Sequence, residues 1–149
     1  MNNKDLDAFI DKLQGDILDE AYSAYGEKGY DRWLNPKFCN TISNPDGYAC
    51  LTGECGDTME IFLTMSGETV EDASYRTTGC ASSSICGSFA AELAIGRRAD
   101  EILDMTGDTI LKELGRFPKE EQHCAHLAIT TLKEAINRYM QRMNSRFNT

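Results

Sequence analysis

Residues 58–77 read TMEIFLTMSGETVEDASYRT, and this stretch decides the fold. Its first half alternates apolar and polar side chains, as a strand with one buried face does, with the apolar positions at Met59, Ile61, Leu63 and Met65. Phe62 interrupts that alternation. Ser66-Gly67-Glu68 has the composition of a turn, and residues 70–77 return as a second strand. The stretch therefore predicts an antiparallel hairpin.

Helical patterns surround this hairpin. Predicted helices cover residues 4–26, 82–95, 99–105, 109–114 and 119–143, with Asp100 and Asp108 as N-caps of the third and fourth. Gly26 and Gly29 are expected to end the first helix, and residues 35–56, rich in turn-forming pairs, read as an irregular loop. We expect one α+β domain over residues 1–149, divided into an N-terminal helix and linker (1–34) and a core (35–143).

Charge and composition narrow the possible functions. The net charge is −9 and the calculated pI is about 4.7, which argues against nucleic acid because phosphate binding needs clustered Lys and Arg. An acidic surface suits solubility or docking on a basic protein. The first residues lack the apolar run of a signal peptide, and no stretch approaches the roughly 18 apolar residues of a membrane span. We therefore expect a cytoplasmic protein with reduced thiols.

Three of the six cysteines stand in distinctive local sequences. Cys55 lies in GECGD (53–57), Cys80 in TGCASSS (78–84) and Cys124 in EQHCAH (121–126). Each falls near the end of a predicted element, where side chains from distant segments can converge. The absence of any C-x-x-C pair argues against a zinc ribbon or zinc finger. Three thiolates with one oxygen or nitrogen donor suit either Zn²⁺ or an iron–sulfur cluster.

Each candidate also has an ordinary structural explanation. Cys80 precedes a predicted helix, whose N-terminus lowers the pKa of a nearby thiol, but a free cysteine commonly packs as a small apolar residue. Asp57 is two residues from Cys55, so their side chains point the same way if the segment is extended; a lone Asp is more often a turn residue. Of the two histidines we favour His123 over His126, because it is nearer the helix start.

The other three cysteines carry weaker expectations. Cys86 lies inside a helix of small residues and should pack in the core. Cys39 and Cys50 fall in the predicted loop and are expected to be spectators.

The ordered pieces resemble the IscU/NifU family of iron–sulfur scaffolds. Asn35-Pro36-Lys37 resembles the early Asn-Pro segment of that family, and Cys55-Gly56-Asp57 resembles its first cysteine and aspartate. Gly79-Cys80 and His123-Cys124-Ala125 resemble the second and third cysteine motifs. The cysteines are separated by 25 and 44 residues, and the resemblance runs from about Asn35 to Arg142.

The resemblance implies a fold and a function. The fold is SufE/NifU-like: a small antiparallel sheet of about three strands, covered on one face by helices. The function is a scaffold, not a turnover enzyme, on which a [2Fe–2S] cluster is assembled and then handed to apo-proteins. Cys55, Cys80 and Cys124 would be ligands, with Asp57 or His123 completing the set. Cys124, a helix-start thiol expected to be accessible and activated, would accept persulfide sulfur.

The resemblance also implies partners: an IscS/NifS-like cysteine desulfurase, a ferredoxin electron donor and apo-protein acceptors. Fe²⁺ or Zn²⁺ would fill the resting site. One family branch uses an Hsp70 chaperone and carries Leu-Pro-Pro-Val-Lys before the histidine. The corresponding residues 116–121 read RFPKEE, which weakens the expectation of that chaperone.

Two rival functions remain open. A SufU-like protein, a zinc-dependent sulfur acceptor, resembles this chain at the three cysteines. That branch has an insertion between the second and third cysteines, however, and lacks the histidine before the last. A structural-zinc interaction module gives no reason for an aspartate beside Cys55.

Overall fold

The computed structural model describes residues 2–147. Its elements, in chain order, are helix α1 (Asn3–Leu34), strands β1 (Gly47–Thr52), β2 (Thr58–Ser66) and β3 (Thr69–Thr77), and helices α2 (Ala81–Ala94), α3 (Ala99–Leu103), α4 (Gly107–Leu114) and α5 (His123–Phe147). A single 3₁₀ turn, Lys119–Glu121, precedes α5. Among these residues no helix is both long and apolar enough to cross a membrane.

The predicted hairpin is confirmed and is the centre of the sheet. Strands β2 and β3 pair antiparallel, with a register shift between Thr64 and Met65, and β1 pairs antiparallel with the other edge of β2. The order β1-β2-β3 confirms the expected α+β class with three strands. Phe62 interrupts the alternation because it faces the opposite side of the sheet from Ile61, where its ring lies 5.1 Å from that of Tyr48.

The core lies between one sheet face and helices α2 and α5. Met59, Ile61 and Leu63 are fully buried on that face. They belong to one apolar cluster with residues of α2 and α5, including Ile85, Phe89, Ile129, Leu132 and Ile136. Burial of such side chains contributes about 1.5–3 kcal/mol each. The sheet and these two helices therefore form a packed frame that fixes the strand ends and helix starts.

Two predicted boundaries were wrong. The loop expected over residues 35–56 contains strand β1, which the short side chains of Gly47 and Ala49 and the surrounding Asn-Pro and Gly signals concealed. Helix α1 does not end at Gly26 but kinks there, at φ +73°, and continues to Leu34. Arg32 stabilises this continuation, because its guanidinium donates to Ser88 Oγ at 2.9 Å and to the Glu92 carboxylate at 3.0 Å.

The predicted caps of the short helices were also displaced. Arg98 and Thr106 are the N-caps, so Asp100 and Asp108 lie in the first turns instead. The backbone N–H of Thr106 donates to Thr109 Oγ1 at 3.2 Å. Aspartate in a first turn is still favourable because it faces the positive end of the helix dipole. Helix α5 begins at His123, later than the predicted residue 119.

Candidate functional site

The three cysteine motifs come from three different element ends. Cys55 lies in the turn between β1 and β2, Cys80 is the N-cap of α2, and Cys124 is the second residue of α5. The frame of sheet and helices brings these ends together, as the hydrogen bonds around Ser83 show. The Ser83 hydroxyl lies 3.1 Å from Asp57 Oδ2 and 3.4 Å from Cys124 Sγ. A residue of α2 thus joins the first motif to the third.

Asp57 also packs directly on the second motif. A Cβ atom placed on Gly79 would lie 2.7 Å from Asp57 Oδ2, so only glycine lets the carboxylate approach this backbone. Asp57 is half-buried. Its carboxylate is therefore held between the segment of Cys80 and the hydroxyl that also reaches Cys124.

The turn that carries Cys55 differs from the expected extended segment. The Gly53 N–H donates to the Asp57 carbonyl at 2.8 Å, the Gly56 N–H donates to the Gly53 carbonyl at 3.0 Å, and Gly56 has φ +88°. The backbone folds back on itself, so the argument that Cys55 and Asp57 point the same way through extended geometry was wrong. Asp57 reaches the site through its contacts with Ser83 and Gly79 instead.

Cys124 is buried, and the expectation of an accessible, activated thiol was wrong. Only 1% of the residue is exposed. The pKa of Cys124 is raised to about 11: burial raises it most, the Ser83 hydroxyl lowers it, and the negative charges of Cys80, Glu121 and Cys55 raise it. The thiol is therefore protonated at neutral pH. The helix start does not activate it because desolvation outweighs the helix dipole.

Those electrostatic influences also show which groups surround Cys124. Cys80, Glu121 and Cys55 all act on it, so the three predicted thiols share one neighbourhood. Cys55 and Cys80 are exposed, whereas Cys124 lies at the bottom. We call Cys124 and Ser83 the base of the site, and Cys55, Asp57, Cys80, Glu121 and His123 its rim.

Glu121 is a site residue that the sequence analysis missed. Its carboxylate oxygen, a His123 ring nitrogen and Cys124 Sγ all lie within 4.8 Å of one another, close enough for one metal ion. The Cys124 thiol donates to Glu121 Oε2 at 3.9 Å. The sequence did contain a signal for this residue, namely a carboxylate two residues before His123. That carboxylate ends the segment 116–121, which was interpreted only as a departure from a chaperone motif.

The remaining candidates lie at or beyond the edge of the site. His126 is exposed and packs its ring against Gly107, in the groove that His123 also lines beside the β1–β2 turn. Cys86 is fully buried, as predicted, and lies below the site: desolvation raises its pKa, as do the charges of Cys124, Cys80 and Glu121. The prediction that Cys39 lies in a loop is confirmed, and its backbone forms an isolated β-bridge with Tyr75. The same prediction was wrong for Cys50, which lies on β1.

A further residue at the edge comes from α1. The Tyr25 hydroxyl lies 2.8 Å from Ser82 Oγ, in the first turn of α2. Burial raises the pKa of Tyr25, and the charges of Cys80, Glu121 and Cys124 add to that effect. The phenol therefore lies beside the same cluster of acidic groups. No pattern in the sequence placed Tyr25 there.

A soft-metal donor set on a three-stranded α+β frame defines the class to which this chain belongs. The profile of the NifU-like N-terminal domain family matches residues 24–146. The chain is 34% identical to "Iron-sulfur cluster assembly scaffold protein IscU 1" of Archaeoglobus fulgidus over 119 residues, which are 79% of this chain and 78% of that protein. It is 30% identical to the IscU scaffold protein of Escherichia coli, over 83% of this chain and 99% of that one.

A solved structure supports the fold. The NifU-like protein (N-terminal) of Brucella abortus superposes with a TM-score of 0.63 at 21% identity, over 80% of this chain and 96% of that chain. The chain belongs to the NifU-like N-terminal domain family. Its relatives are named as scaffold proteins and not as turnover enzymes.

Proposed function

We propose that this protein is a scaffold on which a [2Fe–2S] cluster is assembled and from which it passes to apo-proteins. The observation that carries the proposal is the convergence of three thiols from distant segments around a half-buried carboxylate. Cys55, Cys80 and Cys124 are the proposed thiolate ligands, and Asp57 or His123 completes the set. Iron–sulfur clusters are held mainly by thiolates, so the donor types fit the cargo.

The position of Asp57 supports the proposal that the bound cluster is labile and can be transferred. A carboxylate is a harder ligand than a thiolate and binds soft metal centres less well. The Ser83 hydroxyl and the backbone at Gly79 hold this carboxylate against the other motifs. A weak ligand in a fixed place suits transfer better than permanent storage.

The sulfur would come as a persulfide from a cysteine desulfurase, with Cys124 as the acceptor. The Cys124 thiolate attacks the outer sulfur of the donor persulfide, the S–S bond breaks, and the donor cysteine leaves as a thiolate. The Cys124 proton must leave first, and the Glu121 carboxylate, to which the thiol already donates, is positioned to take it. Because Cys124 is buried, the donor sulfur must reach it past the exposed Cys55 and Cys80.

A second candidate function is the SufU-like one, a zinc-dependent sulfur acceptor. The group of Glu121, His123 and Cys124 favours it, because one carboxylate, one imidazole and one thiolate within reach of one another suit a single Zn²⁺ with an open fourth position. The same three residues suit Fe²⁺ bound before sulfur arrives. Resting Zn²⁺ or Fe²⁺ is therefore proposed for this group under either function.

The proposed function implies partners and a location, and it is assigned to one part of the chain. A ferredoxin would supply the electrons, and residues 35–143 would form the scaffold core in the cytoplasm. Only one proline and one lysine of the Leu-Pro-Pro-Val-Lys motif recur in RFPKEE (116–121), so chaperone-assisted release is the weakest of the proposed interactions.

The decisive experiment is anaerobic reconstitution. The reduced protein is incubated with ferrous iron, cysteine and a cysteine desulfurase, and the visible spectrum and acid-labile sulfide are measured. Sulfide-dependent absorption with about one sulfide per iron supports the scaffold function, because a [2Fe–2S] cluster holds equal numbers of each. Tight zinc with no sulfide-dependent absorption would overturn it in favour of the SufU-like function.

A further inference from the structure

Three consecutive serines lie at the start of α2, and their hydroxyls face different parts of the molecule. Ser82 Oγ lies 2.8 Å from the Tyr25 hydroxyl of α1, and Ser84 Oγ lies 2.7 Å from the Tyr75 hydroxyl of β3. These two serines bond α2 to its neighbours in the fold. Ser83, between them in the sequence, makes its hydrogen bonds within the site instead.

Both hydrogen-bond partners of the Ser83 hydroxyl are proposed ligands. Ser83 is fully buried, and its Oγ lies 3.1 Å from Asp57 Oδ2 and 3.4 Å from Cys124 Sγ. Serines in helices commonly bond back to a carbonyl of the preceding turn, whereas this hydroxyl reaches two other segments of the chain. It also lowers the pKa of Cys124, as a donor to the thiolate form does. One buried hydroxyl thus lies between the carboxylate and the base thiol.

The single proton of this hydroxyl favours one of the two partners. A serine hydroxyl has one hydrogen to donate, so it donates fully to only one acceptor at a time. Sulfur is a weak acceptor, and hydrogen bonds to a carboxylate are stronger than those to neutral groups. In the empty site Ser83 therefore donates mainly to Asp57, and the Asp57 side chain is the partner whose position it fixes.

The other side of the Asp57 carboxylate is fixed by the backbone of the second motif. A Cβ atom placed on Gly79 would lie 2.7 Å from Asp57 Oδ2 and 2.5 Å from Ser83 Oγ, so the glycine leaves room for both groups. The Asp57 carbonyl in turn accepts from the Gly53 N–H at 2.8 Å, which closes the turn that carries Cys55. A contact that fixes Asp57 therefore also restrains the segment of Cys55.

We propose that Ser83 is a positioning residue that holds Asp57 and the Cys55 turn in place before the cargo arrives. The identity of the cargo rests on the proposed function, but the positioning is a property of the empty protein. A donor group that is already held loses less conformational freedom when it binds. Ser83 thereby determines how far Asp57 contributes to the rate at which the cluster leaves.

Amide hydrogen exchange of the empty protein, measured by NMR, tests the positioning. Ser83→Ala removes the hydroxyl but keeps a small side chain that favours the helix. Exchange at Gly53 should become about tenfold faster, the factor by which a hydrogen bond to a charged group shifts a local equilibrium. Asp57→Ala breaks the same contact from the other side and should have a similar effect.

Ser84→Ala is the matched control for this measurement. It removes the neighbouring hydroxyl, which bonds to Tyr75 and to neither ligand, so exchange at Gly53 should stay at the wild-type rate. Unchanged exchange in Ser83→Ala overturns the proposal. So does an equal acceleration in Ser84→Ala, because any loosening of α2 would then have the same effect.

A double-mutant cycle tests whether Ser83 acts through Asp57. Cluster loss is measured in the wild type, Ser83→Ala, Asp57→Ala and the double variant. Ser83→Ala alone should slow loss by up to about tenfold, the limit set by removing the carboxylate, and should have no further effect in the Asp57→Ala background. An equal effect of Ser83→Ala in both backgrounds rejects the positioning role. A wild-type chain that takes up no cluster overturns the proposed function, while the exchange rates at Gly53 still decide the role of Ser83.

Discussion

The base and the rim of the site contain the same kind of side chain in opposite environments. At the base, Cys124 is 1% exposed, and burial raises its pKa to about 11. On the rim, Cys55 and Cys80 are exposed to solvent. All three lie at the end of an element, so position along the chain does not explain the difference in solvent exposure. The difference follows from the face of the element that each thiol occupies.

Helix α5 shows how this difference arises. Cys124 lies on the same face as Ala128, Thr131 and Ala135, all fully buried, so the core stripe of the helix runs up to the thiol. Cys80 is an N-cap, which projects beyond the first turn of its helix. A thiol at the end of a core stripe is protected and protonated, whereas a thiol at a cap is available to solvent and to partners.

The largest expected effect comes from removing the base thiol. Cys124→Ser should abolish persulfide capture and leave the fold intact, because Ser83 and Glu121 still offer the new hydroxyl hydrogen-bond partners. Mass spectrometry after incubation with a desulfurase measures the added sulfur, and circular dichroism checks the fold. Cys39→Ser, outside the site, is the control and should capture sulfur normally. Extra sulfur on Cys80 in the wild-type protein would move the acceptor role to the rim.

Alkaline unfolding tests whether the base thiol is buried as described. The pKa of Cys124 is higher in the folded chain than the ordinary thiol value, so its stabilising contribution is complete below about pH 9 and lost as the pH rises towards about 11. The free energy of unfolding in urea should fall over that range by on the order of 2 kcal/mol from this group.

Two variants separate the base from the rim in the same measurement. Cys124→Ser should reduce the alkaline loss of stability, because it removes the titrating group. Cys55→Ser should keep most of the wild-type loss, because it leaves the buried titrating group in place and removes only one of the smaller charges that act on it. Identical curves for wild type and Cys124→Ser would show that the base thiol is not protected.

A smaller effect is expected from the carboxylate on the rim. Asp57→Ala should slow cluster loss about tenfold, because it removes the hard ligand from a thiolate set. Decay of the visible absorption in the presence of an apo-ferredoxin acceptor measures the rate. Glu54→Ala changes an exposed carboxylate in the same turn and should have no effect. Faster loss in Asp57→Ala would mean that Asp57 holds the cluster in place.

The smallest effect is expected from Glu121. Glu121→Gln should weaken Zn²⁺ binding about threefold to tenfold, since an amide is a poorer ligand than a carboxylate. Competition with a chromophoric chelator at fixed pH measures the affinity. Glu120→Gln, at the exposed neighbouring position, is the matched control. Equal affinities for the two variants would remove Glu121 from the metal group.

Sequence periodicity predicted the frame of the molecule well and its irregular parts poorly. The β2–β3 hairpin and helix α2 follow from local patterns of apolar residues, which depend only on which side chains must face the core. Strand β1 was missed because small residues and Asn-Pro signals hide its alternation of apolar and polar side chains. It is a strand because it pairs with β2, and its own sequence does not indicate that pairing.

The sequence determined which residues could form a soft-metal site and in what order they occur. Their types, their spacing and the flanking glycines and histidine are local properties, and these were sufficient to indicate the family. Only the tertiary structure decided that Ser83 joins Asp57 to Cys124, that Glu121 lies with His123 and Cys124 within reach of one metal ion, and that Cys124 is buried and protonated. Burial and electrostatic environment depend on contacts between distant segments, and a linear pattern contains neither the distances nor the solvent exclusion that set a pKa.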